Sequence, residues 1–137
     1  LKALEKNDLP IDERLITGNS EVSDDAPGYS TEKLGYEAMK RLLVLPNRPT
    51  AVFARNDFTA IGATNAIKES GLQIPKDISI VGFDDIPMAL HTSPTLTTVR
   101  QPTRRQGSLA TEFLLRRIEA NEQVEREEKI LECELIV

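Results

Sequence analysis

The sequence predicts an α/β fold, an open parallel sheet with helices on both faces, and two observations predict it. Short apolar runs of β-type residues, Ala51-Val52-Phe53-Ala54 and Ile78-Ser79-Ile80-Val81-Gly82, alternate with stretches of helical length and period. Strand-helix-strand order of this kind belongs to parallel sheets with helical crossovers. The composition agrees. Of 137 residues, 39% are hydrophobic and 28% charged, an ordinary globular balance that argues against disorder, collagen and coiled coil. One domain is the natural count at this length.

Element by element, Leu1 to Lys6 reads as a helix in mid-course, with no capping residue before it, so the sequence reads as a piece of a longer chain. Leu15-Ile16-Thr17 is a short strand candidate, and residues 18–30, rich in Ser, Asp, Gly and Pro, form a loop. A helix is expected over 31–45, with Leu34, Ala38, Met39, Leu42 and Leu45 on one face. Pro46 and Pro49 end it, because proline lacks the amide that would continue the ladder. Ala51 to Ala54 reads as a strand buried on both faces, with Phe53 in the core.

Asn56-Asp57 offers two capping residues for a helix over 58–70; the cap is assigned to Asp57, and Gly71 takes the left-handed position after the helix. That helix carries Ala60, Ala63 and Ile67 on one side and Phe58, Ile61 and Ala66 toward the other, so it should pack against two surfaces. After the strand at 78–82 comes the acidic turn Phe83-Asp84-Asp85, and 96–100 is a further strand candidate rich in Thr and Val. A last helix over about 103–120 presents Leu109, Ala110, Phe113, Leu114 and Ile118. Residues 121–128 are a polar connector. Residues 130–137 then alternate, with Leu131, Cys133, Leu135 and Val137 expected on one strand face.

Charge and special residues exclude several functions. With 17 basic against 22 acidic residues, the net charge of −5 and the lack of a basic cluster make the chain a poor nucleic-acid binder by itself. Arg104-Arg105 and Arg116-Arg117 read as the polar face of the last helix, balanced by Glu112, Glu119 and Glu122. A single Cys133 forms no internal disulfide, and a single His91 without C-x-x-C leaves no metal or cofactor site to expect. The apolar runs are far too short for a membrane span, and no leader marks the chain for export.

Candidate chemistry follows from the sheet. In an open parallel sheet, ligands bind outside the carboxyl ends of the strands. Asn56 follows one buried strand and Asp84 the next, so both project from one edge if those strands are neighbours. Asn supplies donors and an acceptor, and a carboxylate accepts from two hydroxyls, which suits a polyhydroxylated ligand or a base-like ring better than a phosphate. A phosphate would want a glycine-rich loop, and neither G-x-G-x-x-G nor G-x-x-x-x-G-K occurs. Each residue also has a plainer reading: a helix cap at 56–57, an ordinary turn at Asp84-Asp85, and for Tyr29 a half-buried ring rather than a stacking platform. A phosphoacceptor role for Asp84 lacks the acidic cluster and supporting Lys it would need. No Ser/His/Asp or Cys/His set is available, so an enzyme is not expected.

Three motifs carry a resemblance. They are Pro49-Thr50-Ala51-Val52-Phe53-Ala54-x-Asn56-Asp57 with Ala60-Ile61-Gly62-Ala63; Gly71-Leu72-x-Ile74-Pro75-x-Asp77-Ile78-Ser79-Ile80-Val81-Gly82-Phe83-Asp84-Asp85; and Pro94-x-Leu96-Thr97-Thr98-Val99-x-Gln101-Pro102. In this order and spacing the chain resembles the LacI/GalR family of bacterial transcriptional regulators, over about 49–115. The resemblance implies the second lobe of a two-lobed, periplasmic-binding-protein-like effector domain, plus its return crossings. The helix-turn-helix and most of the first lobe lie outside the chain, so operator DNA is met only through an absent domain.

The resemblance also implies a cytoplasmic protein and a small-molecule effector, a sugar or related metabolite. Tyr29, Asn56, Asp84 and Gln101 then contact the effector, and a homodimer forms partly through Ile61 and Asn65. The crossing segment 98–101 would act as the hinge. The competing reading is a periplasmic sugar-binding protein of a transport system, which shares the two-lobed fold. A nucleotide-using α/β enzyme is held back by the missing phosphate loop.

Overall fold

The computed structural model describes residues 2–17, 31–120 and 127–137. It opens with helix α1 (Lys2–Lys6) and a short 3-10 helix (Glu13–Leu15). No strand forms at Leu15-Ile16-Thr17: Leu15 closes the 3-10 helix, and Ile16 and Thr17 follow it without regular structure. The cause is local: the Asp12 side chain accepts from the Arg14 amide at 3.0 Å and binds the Arg14 guanidinium, which sets a capped turn. Those bonds hold the Asp12 carboxyl below its usual range.

Helix α2 (Thr31–Leu43) buries Gly35, Met39 and Leu42. It stops short of Leu45, whose amide tightens onto the Leu42 carbonyl at 3.3 Å before Pro46. Strand β1 (Ala51–Phe53) pairs in parallel with β2 (Ser79–Val81), with Val52 opposite Ile80. Between them runs helix α3 (Asp57–Glu69), which Gly71 follows at φ 75°, the left-handed conformation expected there. A 3-10 helix (Pro87–His91) leads on toward β3 (Thr98–Arg100). Val81 forms a parallel bridge to Thr97, so a third parallel segment runs into β3. Helix α4 (Thr103–Ala120) follows, and β4 (Glu134–Ile136) returns antiparallel to β3.

The core lies between the α2–α3 pair and the sheet. It joins Met39 and Leu42 to Ala60, Ala63, Ala66 and Ile67, and to Ala54, Ile78, Ile80, Ala89 and Leu96. As its all-round apolar sequence implied, α3 packs against two surfaces, α2 and β2. The two helices meet through glycine. A methyl on Gly35 would overlap the Thr59 carbonyl, and one on Gly62 would overlap that of Glu32. Backbone meets backbone here, and only residues without a side chain fit.

Away from that core, expectations and structure part. β1 is not buried on both faces: Val52 turns inward, while Ala51 is exposed and Phe53 is 67% exposed rather than core. Phe53 meets Phe83 edge-on, with ring centroids 6.4 Å apart. Strand alternation explains this, since α2 and α3 cover the Val52 face. No residue of α4 is buried, and of its expected apolar face Leu114 and Ile118 are exposed while Leu109 and Phe113 are half-buried. At the end of the chain the inward residue is Ile136, opposite the buried Thr98, rather than Leu135 or Val137. Register against β3 decides which face turns in. Among the described residues, no helix is long and apolar enough to cross a membrane.

Candidate functional site

The parallel pairing of β1 with β2 meets the condition set by the sequence: Asn56 and Asp84 leave the same edge of the sheet. The Asp57 amide donates to the Phe83 carbonyl at 2.9 Å, which ties together the two loops that carry them.

Asn56 is half-buried and extended, at φ −157° and ψ 172°. Its Oδ1 accepts from the Thr59 amide at 2.9 Å and from the Thr59 hydroxyl at 2.7 Å. Asn56, not Asp57, is therefore the cap of α3. The residue before a helix has the extended backbone that lets a side chain reach back to the third amide, and Asp57 is already helical. The cap uses the amide oxygen of Asn56 and leaves its Nδ2 group as a donor.

Asp84 is exposed and sits at φ 111°, with Asp85 beside it at φ 56°. Asp is among the few side-chain-bearing residues that occupy positive φ with any frequency, so the paired aspartates form the turn as well as furnish its charge. Gln101 donates from Nε2 to Asp84 Oδ1 at 2.7 Å, and the Asp84 amide donates to the Val99 carbonyl at 2.9 Å. Asp85 Oδ2 accepts from Arg100 Nε at 2.5 Å, and Arg100 reaches on to Glu134 at 3.1 Å. The bond to Asp85 is the main cause that raises the Arg100 pKa. The acidic turn is thus fastened to β3 and, through Arg100, to β4. Beyond Gln101 opens a shallow cavity of about 510 Å³, lined by Pro102, Thr103, Arg104, Arg105 and Ser108 at the start of α4.

The structure therefore brings Asp84 and Gln101 into contact and sets Asn56 on the same edge. Tyr29 lies outside the described residues. Ile61 is half-buried on α3, and Asn65 is exposed, donating to Glu32 on α2 at 3.2 Å. His91 is exposed at the end of its 3-10 helix. Among the described residues no group of acidic, His or Cys side chains is arranged to hold a metal ion.

Sequence reasoning gave Asp57 the cap and missed its buried role. It is fully buried, accepts from the Thr98 hydroxyl on Oδ1 at 2.5 Å and from the Ile86 amide on Oδ2 at 2.8 Å. A signal was present: two adjacent capping residues precede one helix, and only one of them can cap.

With this geometry in view, comparison with known proteins is informative. All of residues 1–137 match the model of the periplasmic binding protein-like domain, and the chain belongs to that family. Within it, the relatives are LacI-family regulators. The chain is 50% identical over 98 residues to the probable HTH-type transcriptional repressor ExuR of Bacillus subtilis (strain 168), covering 72% of this chain and 29% of that protein. It is 42% identical over 119 residues to the HTH-type transcriptional repressor PurR of Yersinia pestis bv. Antiqua, covering 86% of this chain and 32% of the relative. The chain thus spans about a third of the length of these curated relatives.

Solved structures agree. A regulatory protein of the LacI family from Chloroflexus aggregans superposes with a TM-score of 0.81 at 36% identity, over 99% of this chain and 46% of that one. The transcriptional regulator CelR in complex with cellobiose gives a TM-score of 0.83 at 30% identity, over 99% and 38%. A LacI-family regulator from Enterococcus faecium with bound ribose gives 0.73 at 34% identity, over 99% and 46%. The expected family and fold class are both upheld.

Proposed function

We propose that the chain is the C-terminal part of the effector-binding domain of a LacI-like transcriptional repressor, and that its ligand is a sugar or related small metabolite. One observation carries this reading. An exposed carboxylate, Asp84, stands at the same carboxyl edge of a parallel sheet as Asn56 and is held by Gln101, the residue just after β3. Asp84 then accepts from ligand hydroxyls, Asn56 donates through Nδ2, and Gln101 lies between the site and the crossing segment. Tyr29 completes the set as the aromatic platform.

In this reading the chain is mostly the second lobe plus its return crossings. Two facts support that: the curated relatives are about two and a half times as long, and Leu114, Leu115 and Ile118 of α4 lie exposed, as a face meeting another lobe would. A ligand held between lobes favours one lobe orientation, and residues 98–101 absorb the change as a hinge. Dimerisation uses Ile61 and Asn65 on α3, with Phe58 exposed on the same helix. Operator DNA is bound through a domain outside this chain. The protein works in the cytoplasm as a regulator and not as an enzyme; the names of the relatives support this over a transport-linked binding protein.

The test is calorimetric titration of the full-length protein with ribose and cellobiose, the sugars in the two liganded neighbours. Binding of either sugar that Asp84→Ala abolishes supports the site. Binding that Asp84→Ala and Asn56→Ala leave unchanged removes these residues from it. Failure to bind either sugar, in a protein that does bind its operator, would leave the regulator and remove these two ligands.

A further inference from the structure

We propose that Asp57, which is no part of the ligand set, is a positioning residue: it locks the acidic turn to β3, so that turn and strand move as one body. The inference deepens the reading of Asp84 as a ligand contact and rests on it for its functional meaning.

The turn 83–86 is held at both ends by this single residue. At its start, the Phe83 carbonyl accepts from the Asp57 backbone amide at 2.9 Å. At its end, the Ile86 amide donates to Asp57 Oδ2 at 2.8 Å. The other carboxylate oxygen accepts from the Thr98 hydroxyl at 2.5 Å, and that hydroxyl oxygen accepts in turn from the Asp85 amide at 3.3 Å. Asp57 and Thr98 are both fully buried. One carboxylate thus joins the start of α3, the turn that carries Asp84, and β3.

Side-chain chemistry narrows what can stand there. Two donors converge on two oxygens, and only a carboxylate accepts on both; an asparagine would turn an amide toward one of them. Gly82 fits the same account, since a methyl there would overlap Asp57 Oδ1. The turn itself needs such a hold. Two successive side-chain-bearing residues at positive φ persist only where the surroundings over-determine them. The Asp84 amide to the Val99 carbonyl, at 2.9 Å, adds a second tie to β3. A ligand that draws Asp84 toward itself therefore pulls on Thr98 and Val99 and does not simply swing a free loop.

The experiment is hydrogen exchange on the full-length protein, with Asp57→Asn, Thr98→Val and Thr98→Ser beside the wild type. Losing one buried hydrogen bond speeds exchange at Asp85 and Ile86 by roughly tenfold in Asp57→Asn and Thr98→Val. Thr98→Ser, which keeps the hydroxyl, exchanges at the wild-type rate. The α2 peptide stays at its wild-type rate in all three. Wild-type exchange of the turn in Thr98→Val overturns the proposal. So does a Thr98→Ser protein as fast as Thr98→Val, or a rise in α2 equal to that in the turn, which would mean general destabilisation. Should Asp57→Asn fail to fold, the Thr98 pair decides alone. No sugar enters this measurement, so it stands apart from the titration above. A loss of the lock with Asp84→Ala binding unchanged would uphold the positioning role and sink the ligand site.

Discussion

The two halves of the structure are held together by different physics. Around α2, α3 and the parallel strands, backbones meet at Gly35 and Gly62 and aliphatic side chains fill the remainder. From Phe83 onward, the turn, β3 and β4 are joined by a buried carboxylate, a glutamine and an arginine, while α4 buries nothing. Close packing has one good arrangement and resists displacement. Exposed hydrogen bonds and ion pairs are individually small and exchange partners readily, whereas breaking a buried one leaves its partner unsatisfied at a cost. The contrast is a close-packed scaffold under Asn56 and, under Asp84, a hydrogen-bonded one that is fixed at the buried Asp57–Thr98 pair and looser at its exposed ties.

The harshest way to break that contrast is Ile67→Ala. Ile67 is fully buried on α3, and the truncation should cost about 2–5 kcal/mol in denaturant unfolding of the full-length protein. Gly62→Ala comes next, at about 1–3 kcal/mol, because its methyl overlaps backbone and not a flexible side chain. A cost near zero there would mean that the two helices slide apart freely and that the scaffold is not rigid.

Ile118→Ala sharpens the other side. Ile118 is 65% exposed, and an exposed substitution of this kind lies within about 0.5 kcal/mol of neutral. If a first lobe covers α4, as proposed, the same change in the full-length protein costs at least about 1.5 kcal/mol. Equality of the two would leave α4 a solvent face. Asn56 separates cap from ligand. Asn56→Ala loses about 0.5–2 kcal/mol with the cap, whereas Asn56→Asp keeps the capping oxygen and the stability but weakens sugar binding by losing the amide donor.

The smallest effect is Tyr36→Phe. Tyr36 donates to Glu69 at 2.5 Å, which raises its pKa above the ordinary 10.0 by opposing the phenolate. The sign follows: the bond's contribution is complete below pH 10 and fades as pH rises through the raised value in the folded state. Absorbance titration of the phenolate in wild type and Tyr36→Phe should isolate one transition above pH 10.

Much of the scaffold was legible because its signals are local. Pro46 and Pro49, Gly71, and the 3.6-residue spacing of Met39 and Leu42 act within one or two turns of chain, and the helices end near where these residues put them. The order of strand, helix and strand placed Asn56 and Asp84 at one edge, since a parallel sheet puts successive strand ends together. The failures share a cause. Leu15 to Thr17 has strand-like side chains, but a strand needs a partner, and Asp12 supplied a nearer bond. Phe53 is as apolar as any core residue, but alternation turns it away from the covered face.

What the sequence by itself determined is therefore the class of fold, the run of helices and parallel strands, and two of the polar residues at the sheet edge. Only the tertiary structure decided that Asn56 and not Asp57 caps α3, that Asp57 instead reaches Thr98, and that Gln101 grips Asp84. The physical reason is distance along the chain. Caps, turns and periodicity are settled among neighbours, whereas a carboxylate at 57 meets a hydroxyl at 98 only after the sheet has assembled and brought them together.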